Sequence, residues 1–109
     1  MPQALFVHDG EYIDFTPAAD VAPGEVVIQG DLVGVSKRHI AADELGSLAI
    51  TGVFDIAKAS ADAITAGAKV YWKADDEHAV TTASGNKLLG KAVQAAGAGT
   101  TTVRVLLTH

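Results

Sequence analysis

Glycine and proline break this chain at short intervals, and that punctuation constrains the fold more than any other feature. The 11 Gly and 3 Pro are spread along 109 residues instead of gathering in one linker. Such spacing suits many short strands joined by turns, since Gly and Pro supply turn geometry and weaken regular elements. Gln3 to His8 reads as a first strand and His8-Asp9-Gly10 as a tight turn. Glu11 to Phe15, Glu25 to Ile28, Leu32 to Lys37 and Leu48 to Ile56 follow as strand candidates, with a loop from Pro17 to Pro23. Ala57 to Ala66 alone has helical credentials, being Ala-rich with Gly67 placed as a C-terminal cap. Lys69 to Ala74, a hairpin around Asp75 to Asn86, Leu88 to Gln94 and Thr100 to Leu107 complete the pattern. The expected fold is mainly β, a small β-barrel or sandwich with one short helix, in a single domain over 1–109.

The two halves echo each other. Pro23-Gly24-Glu25-Val26-Val27, Leu32-Val33-Gly34-Val35 and the small-residue turn Ala41 to Glu44 recur as Ala66-Gly67-Ala68-Lys69-Val70, Leu88-Leu89-Gly90-Lys91 and Ala95 to Ala98. From turn Gly to strand Gly the spacing is 10 residues in the first half (24 to 34) and 23 in the second (67 to 90). The extra 13 residues predict a hairpin inserted near Glu77 to Asn86. A Gly inside each of two strands suggests a bulge or a sharp bend.

Composition narrows the function classes. Apolar residues make up 49% of the chain, but they are mostly small: 20 Ala and 12 Val against 3 Phe, 2 Tyr and 1 Trp. A core built that way is thin, and self-association would supplement it. With 8 basic and 13 acidic residues the net charge is -5, which disfavours binding nucleic acid through its phosphates. The absence of cysteine removes disulfides, thiol catalysis and cysteine-ligated metals together. The start, Met1 to Phe6, lacks the basic-then-apolar order of a signal peptide, and no apolar run is long enough to span a membrane.

Chemical motifs fail one by one. Gly85-Asn86-Lys87-Leu88-Leu89-Gly90-Lys91 fits the opening of a phosphate-binding loop, but the hydroxyl residue that should follow is Ala92. His8, His39, His78 and His109 lack metal-site spacing, and no serine sits in a nucleophile-elbow context. Asp75-Asp76-Glu77 reads as a solvated hairpin tip, and Lys37-Arg38-His39 is too short for a nucleic-acid footprint. The reading is therefore a non-enzyme with no catalytic residues, no metal and no cofactor.

Two features suggest contact surfaces. Tyr71 and Trp72 are adjacent in a strand and must face opposite sides, so one anchors the interior and the other meets a neighbour. Near the N-terminus, Ala4-Leu5-Phe6-Val7 is an apolar run, preceded by Pro2, which withholds one backbone donor. With Pro2, Leu5 and Phe6 as contact candidates, the segment is either a first core strand or an arm, residues 1–10, that pairs with an edge strand of a neighbouring subunit or of a partner protein.

Three longer stretches resemble a known family. Ile64-Thr65-Ala66-Gly67-Ala68-Lys69-Val70-Tyr71-Trp72, Thr81 to Ala92, and Thr102-Val103-Arg104-Val105-Leu106-Leu107 are similar to the small phage-encoded proteins called DUF2190. Gly30 to Val35 and Gly52 to Ile56 agree, so the resemblance spans about residues 4 to 107. It implies a virion structural protein that binds the outer surface of a phage head and stabilises it, a capsid cement or decoration protein. Its partners would be the major capsid protein, which would offer the arm an alternative edge strand, and further copies of itself, a trimer favoured over a dimer, with no nucleic acid and no membrane. It would be made in the bacterial host cytoplasm and end on the capsid surface. The alternative from the residues alone is a ligand- or carbohydrate-binding β-barrel module.

Overall fold

The computed structural model describes residues 3–108. Among them, nine strands form two antiparallel sheets: β1 (Tyr12–Phe15), β2 (Val26–Gln29), β3 (Leu32–Val35), β4 (Gly46–Ala49), β5 (Gly52–Ala57), β6 (Lys69–Lys73), β7 (His78–Val80), β8 (Lys87–Ala92) and β9 (Thr102–Leu107). The first sheet has the order β1-β4-β3-β2 and the second β5-β9-β8-β6-β7. The mainly β expectation holds, and of the barrel and the sandwich the closed barrel is not formed among the described residues. The second sheet curls until Lys58, just past β5, makes one isolated parallel bridge to Ala79 of β7, and closure stops there.

Set side by side, the sheets share one topology. The order β1-β4-β3-β2 matches β5-β9-β8-β6, with β7 as the additional strand. The connecting hydrogen bonds repeat as well. Val21 and Ile40 exchange backbone bonds of 2.8 and 2.9 Å, as Ile64 and Ala96 do at 2.8 Å each way. Gly24 N–H donates to the Ser36 carbonyl, as Gly67 N–H does to that of Ala92. Positions 21 and 24 shift by 43 to reach 64 and 67, whereas 36 and 40 shift by 56 to reach 92 and 96. The difference is the 13-residue insertion that contains β7. Gly24 and Gly67 adopt nearly the same positive φ, 81° and 83°, at the turns that open the two units.

The second sheet supplies most of the interior. In β9 the pattern alternates strictly, so Val103, Val105 and Leu107 point inward and Thr102, Arg104 and Leu106 outward. Trp72, Val70, Leu89, Ile56 and Ile64 join them, while the first sheet adds Val33 and Val35 to the same cluster. Val21, Ile40, Leu48 and Ala49 are also buried but lie outside it. Gly90 is required where β8 meets β9. A Cβ there would overlap the Leu106 carbonyl, and the β6–β8 register slips between Val70 and Tyr71 beside it.

Three sequence expectations are corrected. The helix over Ala57 to Ala66 does not form, because its polar groups are taken by tertiary partners. Lys58 N–H donates to the Thr101 carbonyl at 2.9 Å, and Ile64 is held by Ala96. The buried Lys58 ammonium donates to the carbonyls of Ala59 at 3.0 Å and Asp62 at 2.5 Å, so a side chain organises the turn that alanine propensity would have coiled. The strand expected over Leu48 to Ile56 is two strands in different sheets, broken at Gly52 with φ 122°. Gln3 to His8 forms no strand; Leu5, Phe6 and Val7 are each about 80% exposed.

Candidate interaction surfaces

Where the structure places Tyr71 and Trp72 follows from the strand period. Trp72 is buried with Val70, and Tyr71 lies half-buried on the opposite, outward face of the second sheet. There Tyr71 is opposite Val80 of β7 and Leu88 of β8. The same face continues through directly opposed rows. Val53 faces Leu106, Leu106 faces Lys91, and Lys91 faces Lys69. Val53, Leu106 and Val93 are exposed apolar residues at 54, 38 and 43%. In the next row Arg104 donates to Asp55 through both Nε, 2.9 Å, and a terminal nitrogen, 3.2 Å. That pair holds the Asp55 carboxyl below the usual range, mainly through the hydrogen bond, and raises Arg104. Lys73 meets Asp76 at 3.0 Å.

A second surface lies on the first sheet. A cavity of about 620 Å³ is bordered by Tyr12 and Asp14 of β1, the Lys37-Arg38-His39 segment after β3, and Leu45, which is 72% exposed. Lys37 Nζ hydrogen-bonds the Tyr12 hydroxyl. Two cations and two carboxylates border the cavity, so it carries no strong charge of either sign. Another cavity of about 510 Å³ lies between the free edges of β2 and β5 and reaches Trp72. The sheets are tied at the surface by Lys87 of β8 and Asp31 of the β2–β3 turn, 2.7 Å apart, which lowers the Asp31 pKa.

Of the contact candidates read from the sequence, Leu5 and Phe6 lie on the exposed N-terminal segment, Tyr71 on the outward sheet face and Trp72 in the core; Pro2 lies outside the described residues. They are not brought together. His8 Nδ1 accepts from Gly10 N–H at 2.9 Å, which shapes the turn before β1. The phosphate-loop look-alike is a turn at Gly85 followed by a strand, with no helix N-terminus to face a phosphate. Among the described residues no three His, Asp or Glu side chains cluster as metal ligands. Nor is any helix there long and apolar enough to cross a membrane. The sequence reading missed Val53, Leu106, Lys69 and Lys91, because only strand register makes them neighbours.

Comparison with known proteins adds one decisive likeness. Neither the curated proteins nor the solved structures gave a match. A family model described as phage cement protein matches residues 7–107, nearly the whole chain, and agrees with the resemblance carried by its turn and strand motifs. The chain therefore belongs to the phage cement protein family, which implies a structural role at the phage capsid.

Proposed function

We propose that the chain binds the outer surface of a phage head and stabilises it without catalysis. The family match over residues 7–107 carries this reading. The surface supports it: exposed apolar residues occupy the outward face of the second sheet and the N-terminal segment. Weak contacts of this kind hold when many copies repeat them over a symmetric shell. Mixing purified chain with expanded heads that lack it, followed by imaging, tests the proposal. Ordered density on the shell is expected; heads that stay bare would refute it.

The copies act as a homo-oligomer, with a trimer favoured over a dimer, since a trimer fits local threefold points of a shell. Light scattering at high micromolar concentration should return three times 11.2 kDa, and a clean 11.2 kDa species would count against association in solution. Residues 3–10 serve as an arm. Leu5, Phe6 and Val7 are uncovered, and free strand edges are present to receive them on a neighbouring copy or the capsid protein. On β1, the Ile50 N–H bond to the Glu11 carbonyl sets the ladder phase, so the backbone groups of Tyr12 and Asp14 point away from the sheet.

A further inference from the structure

Resting on the cement reading, we propose that the outward face of the five-stranded sheet is the shell-docking face and that it binds a carboxylate-bearing strip of shell protein. Its charge is the first observation. Lys69 and Lys91 stand directly opposite each other on β6 and β8, both exposed, and neither has an ion-pair partner among the described residues. Like charges in direct opposition destabilise a sheet. A chain with 13 acidic residues has ample means to neutralise that pair and does not.

The asymmetry extends across the face. Its strands hold Lys69, Lys73, Lys91 and Arg104 against Asp55 alone, a balance of +3, and the acidic residues Asp75, Asp76 and Glu77 are confined to the β6–β7 turn at one end. The rest of a chain whose total is -5, that turn included, then carries -8. A molecule polarised this way approaches an acidic surface with this sheet foremost. The apolar content supplies what charge alone cannot. Val53 and Leu106 form one exposed cross-strand pair, and Tyr71 adds a half-buried ring on the same side.

Other occupants fit less well. Twofold pairing of this face with itself would bring two cation-rich faces together. Two unpaired lysines are too few to neutralise a run of phosphates on a chain that is otherwise acidic. Carboxylates interleaved with apolar side chains complement both the lysines and the Val53–Leu106 pair.

The test uses the full chain and expanded heads that lack it, in co-sedimentation at low and high salt, with K69E/K91E and K69E compared to wild type. K69E/K91E keeps a like-charged opposed pair, so its melting temperature should stay near that of wild type while its affinity for heads falls at least about tenfold. K69E turns a repulsive pair into an attractive one and should melt higher than wild type yet bind heads more weakly, a combination that a purely structural role does not produce. Wild-type binding should weaken with added salt. Salt-independent binding, or K69E/K91E heads decorated as fully as wild type, would overturn the proposal while leaving the cement reading intact. So would dissociation of the free oligomer by K69E/K91E with head affinity unchanged, which makes the face a contact between copies. Wild type that fails to bind heads at all overturns both.

Discussion

The four-stranded and five-stranded sheets repeat one topology, yet they divide the work of the molecule unequally. In the second sheet β8 and β9 share three register pairs and β5 and β9 six; in the first, β3 and β4 share one and β1 and β4 four. Trp72 and the inward side of β9 fill the common core from the second sheet. At the position 43 residues earlier than Trp72 stands Gln29, which is exposed. The repeat therefore preserves turns and strand order while core volume has concentrated in one half. The lighter half keeps the uncovered N-terminal segment and the mixed cavity, and the heavier half presents an outward face backed by the main core. A stable platform backed by the main core can carry exposed apolar and unpaired cationic groups that a thinner sheet would tolerate less well.

Equivalent substitutions in the two units should separate them. Trp72→Ala removes the largest side chain of the shared core and should cost about 3–5 kcal/mol, read by denaturant unfolding; a loss under about 1 kcal/mol would show that the core does not depend on it. Gly90→Ala should cost about 3 kcal/mol or more, since the added methyl meets backbone that cannot swing away. At the equivalent Gly34 the new methyl would lie 3.0 Å from the Leu48 Cβ and 3.2 Å from the Ala49 carbonyl, contacts that small shifts relieve. Gly34→Ala should thus cost only about 1–2 kcal/mol, and equal losses at both glycines would erase the contrast between the units.

Deleting residues 1–7 should leave the melting temperature within a few degrees of wild type, because Leu5 to Val7 are exposed and form no strand. The same deletion should weaken oligomerisation or head binding; a deletion variant that assembles and binds as wild type would remove the arm. The smallest effect concerns the tie between the sheets. Asp31 titrates below its ordinary value because Lys87 stabilises its charged form, so its stabilisation is present at neutral pH and fades as pH falls through the lowered pKa. Lys87→Ala should flatten the acid limb of the stability profile slightly. An unchanged limb would mean that the exposed pair contributes nothing measurable.

Much of this was legible in the chain because it is local. Gly24, Gly67 and the 13 extra residues before Gly90 mark the repeat and its insertion directly, and strand alternation separates Tyr71 from Trp72. Other features depend on partners distant in sequence. Leu48 to Ile56, a stretch that reads as one strand, is divided at Gly52 because Gly46–Ala49 and Gly52–Ala57 find different sheets. Ala57 to Ala66 reads as helix until the carbonyls of Thr101 and Ala96 claim its backbone. Lys69 and Lys91 become neighbours through a register with a bulge beside it, and no motif in the sequence announces the pair.

Cementing, as distinct from mere attachment, is read most directly by calorimetry of expanded heads with and without the bound chain. A stabilising role requires the head transition to move to higher temperature in proportion to the number of copies bound. Heads that are fully decorated but melt at the same temperature as bare ones would contradict it.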